Sequence, residues 1–149
     1  MALTRAQFET ELVARQQGRM EEVEMAVTSE GSNADLNGPI GFSIRKCGGT
    51  VASFGAVADA DLSAFEESEY DKLIDIAEYR LLLNIKGRWG KVDIRAGQLS
   101  ESLSQFAKDL DEDIKTALSN LRIVHGFGVG SISGGVLDYD FAQTEEDDE

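Results

Sequence analysis

The residues best suited to chemistry in this 149-residue chain are few. His125 is the only histidine and Cys47 the only cysteine. A Ser-His-Asp or Cys-His relay would have to run through His125, the one side chain of its kind that exchanges a proton near neutral pH. His125 falls at the end of a predicted helix, where an imidazole also sits well against the negative end of the helix dipole. That capping role is the simpler reading. Cys47 stands in "RKCGG", beside two basic residues that would favour a thiolate. No cysteine-protease signature surrounds it, so a structural thiol is the simpler reading there.

Three further stretches invite chemistry and then fail its requirements. "GFGVGSISGG" is rich in glycine, but a dinucleotide fingerprint needs a strand before the glycines and a helix after them. Here a helix precedes and an extended segment follows, so the simpler reading is a hinge. "DYDFAQTEEDDE" is dense in carboxylates, yet it lacks the third ligand and the glycine of a calcium-binding loop. It reads as a solvated acidic tail. Paired carboxylates for glycoside hydrolysis need a cleft, and no feature points to one. No residue is therefore assigned to catalysis, to a cofactor or to a metal.

The helices that would position such residues are clearer. Thr4 with Gln7 makes a capping box, and Phe8, Leu12, Met20, Val23 and Val27 follow at helical spacing; a helix is expected over 4–27. Arg15 and Gln16 interrupt that apolar stripe. Residues 28–59 hold the only proline and many glycines, so they read as a long irregular arm that neighbouring molecules order. "IGFSI" and "TVASF" within it read as brief strands or a hairpin. A short helix is expected from Asp61 to Glu67.

Ser68 then caps the strongest helical signal in the chain. Tyr70, Leu73, Ile74, Ala77, Leu81 and Ile85 form its inward stripe, which Ile76, Leu82 and Leu83 widen; this helix is expected to be central. Gly87 is expected to end it, with Trp89 in the turn and "KVDIRAG" as an extended link. Trp89 reads as a turn aromatic over the core or as an anchor for a neighbouring subunit. A last helix is expected over 100–121, with Leu103, Phe106, Leu110 and Ile114 inward. Leu137, Tyr139 and Phe141 share one parity against Asp138 and Asp140, the pattern of a strand with one buried face. Nothing after it supplies a partner strand. The fold class expected is mainly α: a small helical bundle over 1–135 with its arm, and an extended segment with an acidic tail over 136–149.

Charge narrows the function classes. With 28 acidic and 14 basic residues the formal net charge is −14, which repels phosphate and argues against reading of nucleic-acid sequence. No apolar run approaches the length of a membrane span, and the first residues carry no apolar signal-peptide core. A single cysteine forms no internal disulfide and fits a reducing cytoplasm.

The order of these features resembles a known family. "LIDIAEYRLLLNI" leads to a tryptophan turn, then "VDIRAGQLSESLSQFAKDLDEDI", a glycine-rich stretch and "GGVLDYDFA". Over about residues 68–142 this is similar to the head-to-tail adaptor, or connector, proteins of long-tailed bacteriophages. The resemblance implies a ring, commonly twelvefold, of neighbouring copies in the neck of the virion, assembled in the host cytoplasm. It implies a portal protein on one side, a neck or tail-terminator protein on the other, and genomic DNA passing through without specific binding. In several such adaptors the extended C-terminal segment pairs with portal strands, which would make Leu137, Tyr139 and Phe141 partner-binding residues, with Trp89 as a further candidate. The competing reading is a cytoplasmic acidic binding or chaperone-like module. An enzyme fits least, because no nucleophile, base and orienting group can be assembled.

Overall fold

The computed structural model describes residues 2–53, 56–96 and 101–127, with backbone alone at 91–96 and 101–104. The described chain is mainly helical: α1 (Arg5–Glu22), α2 (Asn37–Lys46), the short α3 (Asp59–Leu62), α4 (Tyr70–Ala96) and α5 (Glu101–His125), with 3₁₀ turns at Ala34–Leu36 and Glu67–Glu69.

α1 begins as its sequence dictates. The Thr4 hydroxyl oxygen accepts from the Gln7 N–H at 3.2 Å, and the Gln7 side chain accepts from the Thr4 N–H at 3.0 Å. Two donors that would otherwise be orphaned at the helix start are thereby satisfied. The helix stops five residues before the expected Val27. Glu24 turns into the left-handed region at φ 62°, the N–H of Met25 reaches Met20 O at 2.8 Å, and that of Glu24 reaches Glu21 O. This is a Schellman closure with glutamate in the place glycine usually takes. Val23 and Met25 remain buried beyond the helix end, which is why the apolar pattern outlasts the helix.

Residues 28–59 are not an arm held by neighbours. Leu36, Ile40 and Ile44 are fully buried in the core of their own chain, and α2 packs along α4. "IGFSI" is helical rather than extended: Ile40 and Ile44 lie four residues apart on one face, while Phe42 points elsewhere. Pro39 is tolerated because it lies in the first turn of α2, where its missing N–H has no helical partner to lose. The two glycines after Cys47 do different work. Gly48 takes φ 88° and, with Gly49, closes a second Schellman motif onto Arg45 O and Ile44 O. A Cβ on Gly49 would stand 2.7 Å from the Phe65 ring, so that residue is small to let Phe65 in.

A buried polar network holds the irregular backbone in place. Arg5 is 3% exposed and Glu9 is fully buried. The Glu9 carboxylate accepts from Arg5 Nε at 2.7 Å, from the Gly31 N–H at 2.8 Å and from the Asn33 N–H at 3.0 Å. The Arg5 guanidinium also donates to Asn33 O, Val57 O and Asn37 Oδ1, and its backbone N–H donates to Asp59. Asn33 in turn donates to Ala26 O and Thr28 O. Side chains of α1 and the loop thus supply the partners that helix or sheet would otherwise provide.

α4 is the central helix, with α2, α5 and α1 packed against it. Leu73, Ile76, Ala77, Leu81 and Ile85 are all fully buried, as their spacing requires. Gly87 does not end it. The helix continues through Trp89, Gly90 and the "KVDIRA" that reads as a link, up to Ala96. Gly87 and Gly90 carry no left-handed angle, and a Cβ at either would meet nothing within 4 Å. They are tolerated interior glycines, and tertiary packing overrides their poor propensity. α5 runs four residues past the expected Leu121; Leu110 and Leu121 are buried on it, Phe106 is partly buried, and the Leu103 side chain lies outside the described residues.

Two outcomes follow for stability. Arg5→Ala strands the Glu9 carboxylate inside the protein and is expected to cost about 3–5 kcal/mol in urea melts; a loss below about 1 kcal/mol would place the network outside the cooperative fold. Gly87→Ala and Gly90→Ala are each expected to stabilise by about 0.5–1 kcal/mol, which a helix ending at Gly87 would not allow.

Candidate functional site

Side chains of α1 and α5 converge on two carboxylates of α4. Asp75 and Glu78, three residues apart, share one face. Arg15 of α1 donates through Nη1 to Asp75 Oδ1 at 3.0 Å and to Glu78 Oε1 at 2.9 Å, and through Nε to Glu11 at 3.0 Å. Burial opposes its charge, but the carboxylates of Asp75, Glu11 and Glu78 outweigh it and hold the guanidinium above the ordinary arginine range. His125, at the end of α5, meets Asp75 Oδ2 through Nε2 at 2.8 Å. Gln16 donates to Glu78 Oε2 at 2.7 Å.

Gln16 explains a break in α1. Its backbone, at φ −130° and ψ 16°, leaves the helical region, and its side chain is 8% exposed. The residue that interrupts the apolar stripe is therefore a tertiary contact, bonded to Glu78 and accepting from Arg19. Arg19 is ion-paired with Asp113 of α5. Gln16, Glu78, Leu82, Asp113, Thr116 and Asn120 line a groove of about 250 Å³ between α1, α4 and α5.

Chemically this cluster is a clasp. His125 and Asp75 are two parts of a proton relay, but Cys47 lies elsewhere, at the end of α2. Its thiol is pushed up by burial, with Lys72 opposing only in part, so the two basic residues before it in sequence do not make it a thiolate. Among the described residues no group of three His, Cys, Asp or Glu side chains gathers as a metal site.

The end of α5 is fastened a second time. Gly126 turns at φ 66°, and the Phe127 N–H reaches Leu121 O at 3.0 Å. Phe127 thereby lies edge-on to Tyr79 of α4, with ring centroids 6.4 Å apart. Ile123 and Val124, one turn earlier, are 80% and 61% exposed, the large apolar side chains that the described bundle leaves in water.

Trp89 is 7% exposed and stacks on Phe106 of α5 at 4.3 Å between centroids, packing over the core as one of its two readings has it, though within α4 and not in a turn. Leu137, Tyr139 and Phe141 lie outside the described residues. The sequence reading missed Asp75, Glu78 and Arg15 as a unit. The signal was present: two acids at helical spacing on α4, and a polar break in the stripe of α1.

Because its folded-state thiol is raised, Cys47 is expected to react with a disulfide reagent more slowly than free cysteine at neutral pH. The rate should climb with pH to beyond the range where free cysteine has levelled off, and a plateau below pH of about 8 would contradict its desolvation.

No family model, no curated protein and no solved structure matches the chain.

Proposed function

We propose that the protein is a structural adaptor of a bacteriophage neck, forming a ring between portal and tail around the DNA channel. The observation that carries this reading is the end of α5. There a doubly fastened helix exposes Ile123 and Val124 immediately before the glycine-rich segment that leads to Leu137, Tyr139 and Phe141. An apolar pair at the root of a segment with strand parity suits an anchor for strand addition on another protein. The helical bundle agrees with the resemblance in segment order, and a net charge of −14 per copy suits a channel that DNA traverses without sticking. On this reading the protein acts by assembly, with no catalytic step, and its partners are the portal, its own copies and a tail-side neck protein.

The test is a mixture of the protein with its portal, followed by mass measurement and two-dimensional class averages. The expected result is a ring that forms with the portal. Removal of residues 136–149 is expected to leave helical ellipticity unchanged, because the described bundle makes its core without them, and to abolish portal binding. Binding by the truncated chain, or a stable small dimer that captures basic proteins instead, would overturn the adaptor.

A further inference from the structure

Several described cations of this acidic chain are paired with carboxylates: Arg5 with Glu9, Arg15 with Asp75 and Glu78, Arg19 with Asp113, Lys86 with Asp111 and Arg88 with Asp35. Lys46, Arg80 and Arg122 are exposed and form no ion pair among the described residues; the same holds of Lys108, Lys115 and the partly buried Lys72, but what sets the first three apart is where they stand. They are grouped, and aromatic rings alternate with them. The ring of Phe42 on α2 has Lys46 Nζ at 5.5 Å and the Arg80 guanidinium at 5.1 Å from its centroid. Tyr79, beside Arg80 on α4, feels both Arg80 and Arg122 and carries Phe127 against its edge. The three rings are only partly covered. A band of alternating cations and aromatics therefore crosses the molecule from α2 over α4 to the end of α5.

We propose that this band docks the acidic run Glu145–Glu149 of the same chain. Charge is the first argument: five successive carboxylates meet a set of cations left without carboxylates. Size is the second. Five extended residues cover about 17 Å, and three neighbouring helices spaced 8–10 Å apart present a band about 20 Å wide. Connection is the third. The segment leading to the run leaves from Phe127, which is itself the last member of the band. Residues 128–144 reach up to about 60 Å when extended, far more than the return needs. A tethered partner sees a high effective concentration, so contact within one chain precedes contact between chains. Nucleic acid, the other polyanion a cation–aromatic band attracts, is disfavoured by the −14 charge of the chain. The contact is independent of the adaptor reading.

The experiment is zero-length carbodiimide cross-linking of the full chain, mixed equally with its heavy-isotope form and mapped by mass spectrometry. The expected product is an intrachain amide between Lys46 and a carboxylate of 145–149. Its yield should fall about fivefold or more from 20 mM to 500 mM salt, and equally in Arg80→Glu with Arg122→Glu, which keeps the reporting lysine. In a full-length variant with Glu145→Gln, Glu146→Gln, Asp147→Asn, Asp148→Asn and Glu149→Gln, Lys46 should be acylated by an amine reagent several times faster. Absence of the link, a link unchanged by the arginine reversals, links only between light and heavy chains in dilute protein, or equal Lys46 acylation with and without the acids would each overturn the proposal. So would equal protection of Lys46 by oligothymidylate in both forms, which would assign the band to nucleic acid.

Discussion

The buried ion pair of Arg5 and Glu9 is the constraint from which the rest of the fold is hung. Both side chains are almost wholly removed from water, so their partners must lie inside the protein. Their partners are backbone groups of Gly31, Asn33 and Val57, which belong to a stretch with little regular structure. Once those atoms are fixed, α2 is delivered to the face of α4 and Leu36, Ile40 and Ile44 complete the core. An apolar pair could replace the charge, but not the pattern of donors and acceptors that sets this loop's path.

Where local chemistry decided structure, the sequence could be read directly. Thr4 and Gln7 announce the start of α1, and the stripe of α4 identifies both its helicity and its central place. Where distant partners decided, it could not. The Glu9 carboxylate looks like any helical surface acid until Gly31 and Asn33 are brought to it. Ile40 and Ile44 satisfy a strand alternation as readily as a helical step of four, and the α4 surface resolves the ambiguity. Gly87 ends a helix only when nothing beyond it is held in place; stacking of Trp89 on Phe106 supplies that hold.

The clasp was legible only in fragments. Arg15 and Gln16 show as a fault in an amphipathic pattern, and His125 as a lone imidazole near a helix end. That all of them answer to Asp75 and Glu78 follows from the packing of α1 and the antiparallel return of α5 against α4, which no spacing rule encodes. The alternation of Leu137, Tyr139 and Phe141 is plain in the sequence, and these residues lie outside the described ones.

The Leu3 N–H bonds to the Tyr70 hydroxyl at 2.9 Å, and His125 meets Asp75 at 2.8 Å. Tyr70 and Asp75 are separated by about 8 Å of rise along α4. The strand of chain entering the bundle and the one leaving it are thus anchored at the same end of the same helix. A pull between them would not slide α1 and α5 along α4, loading all contacts together. It would peel each helix away from one end, breaking contacts in succession. Tension across that end is therefore expected to meet less resistance than shear along α4, a direction-dependent response set by where two hydrogen bonds fall on one helix.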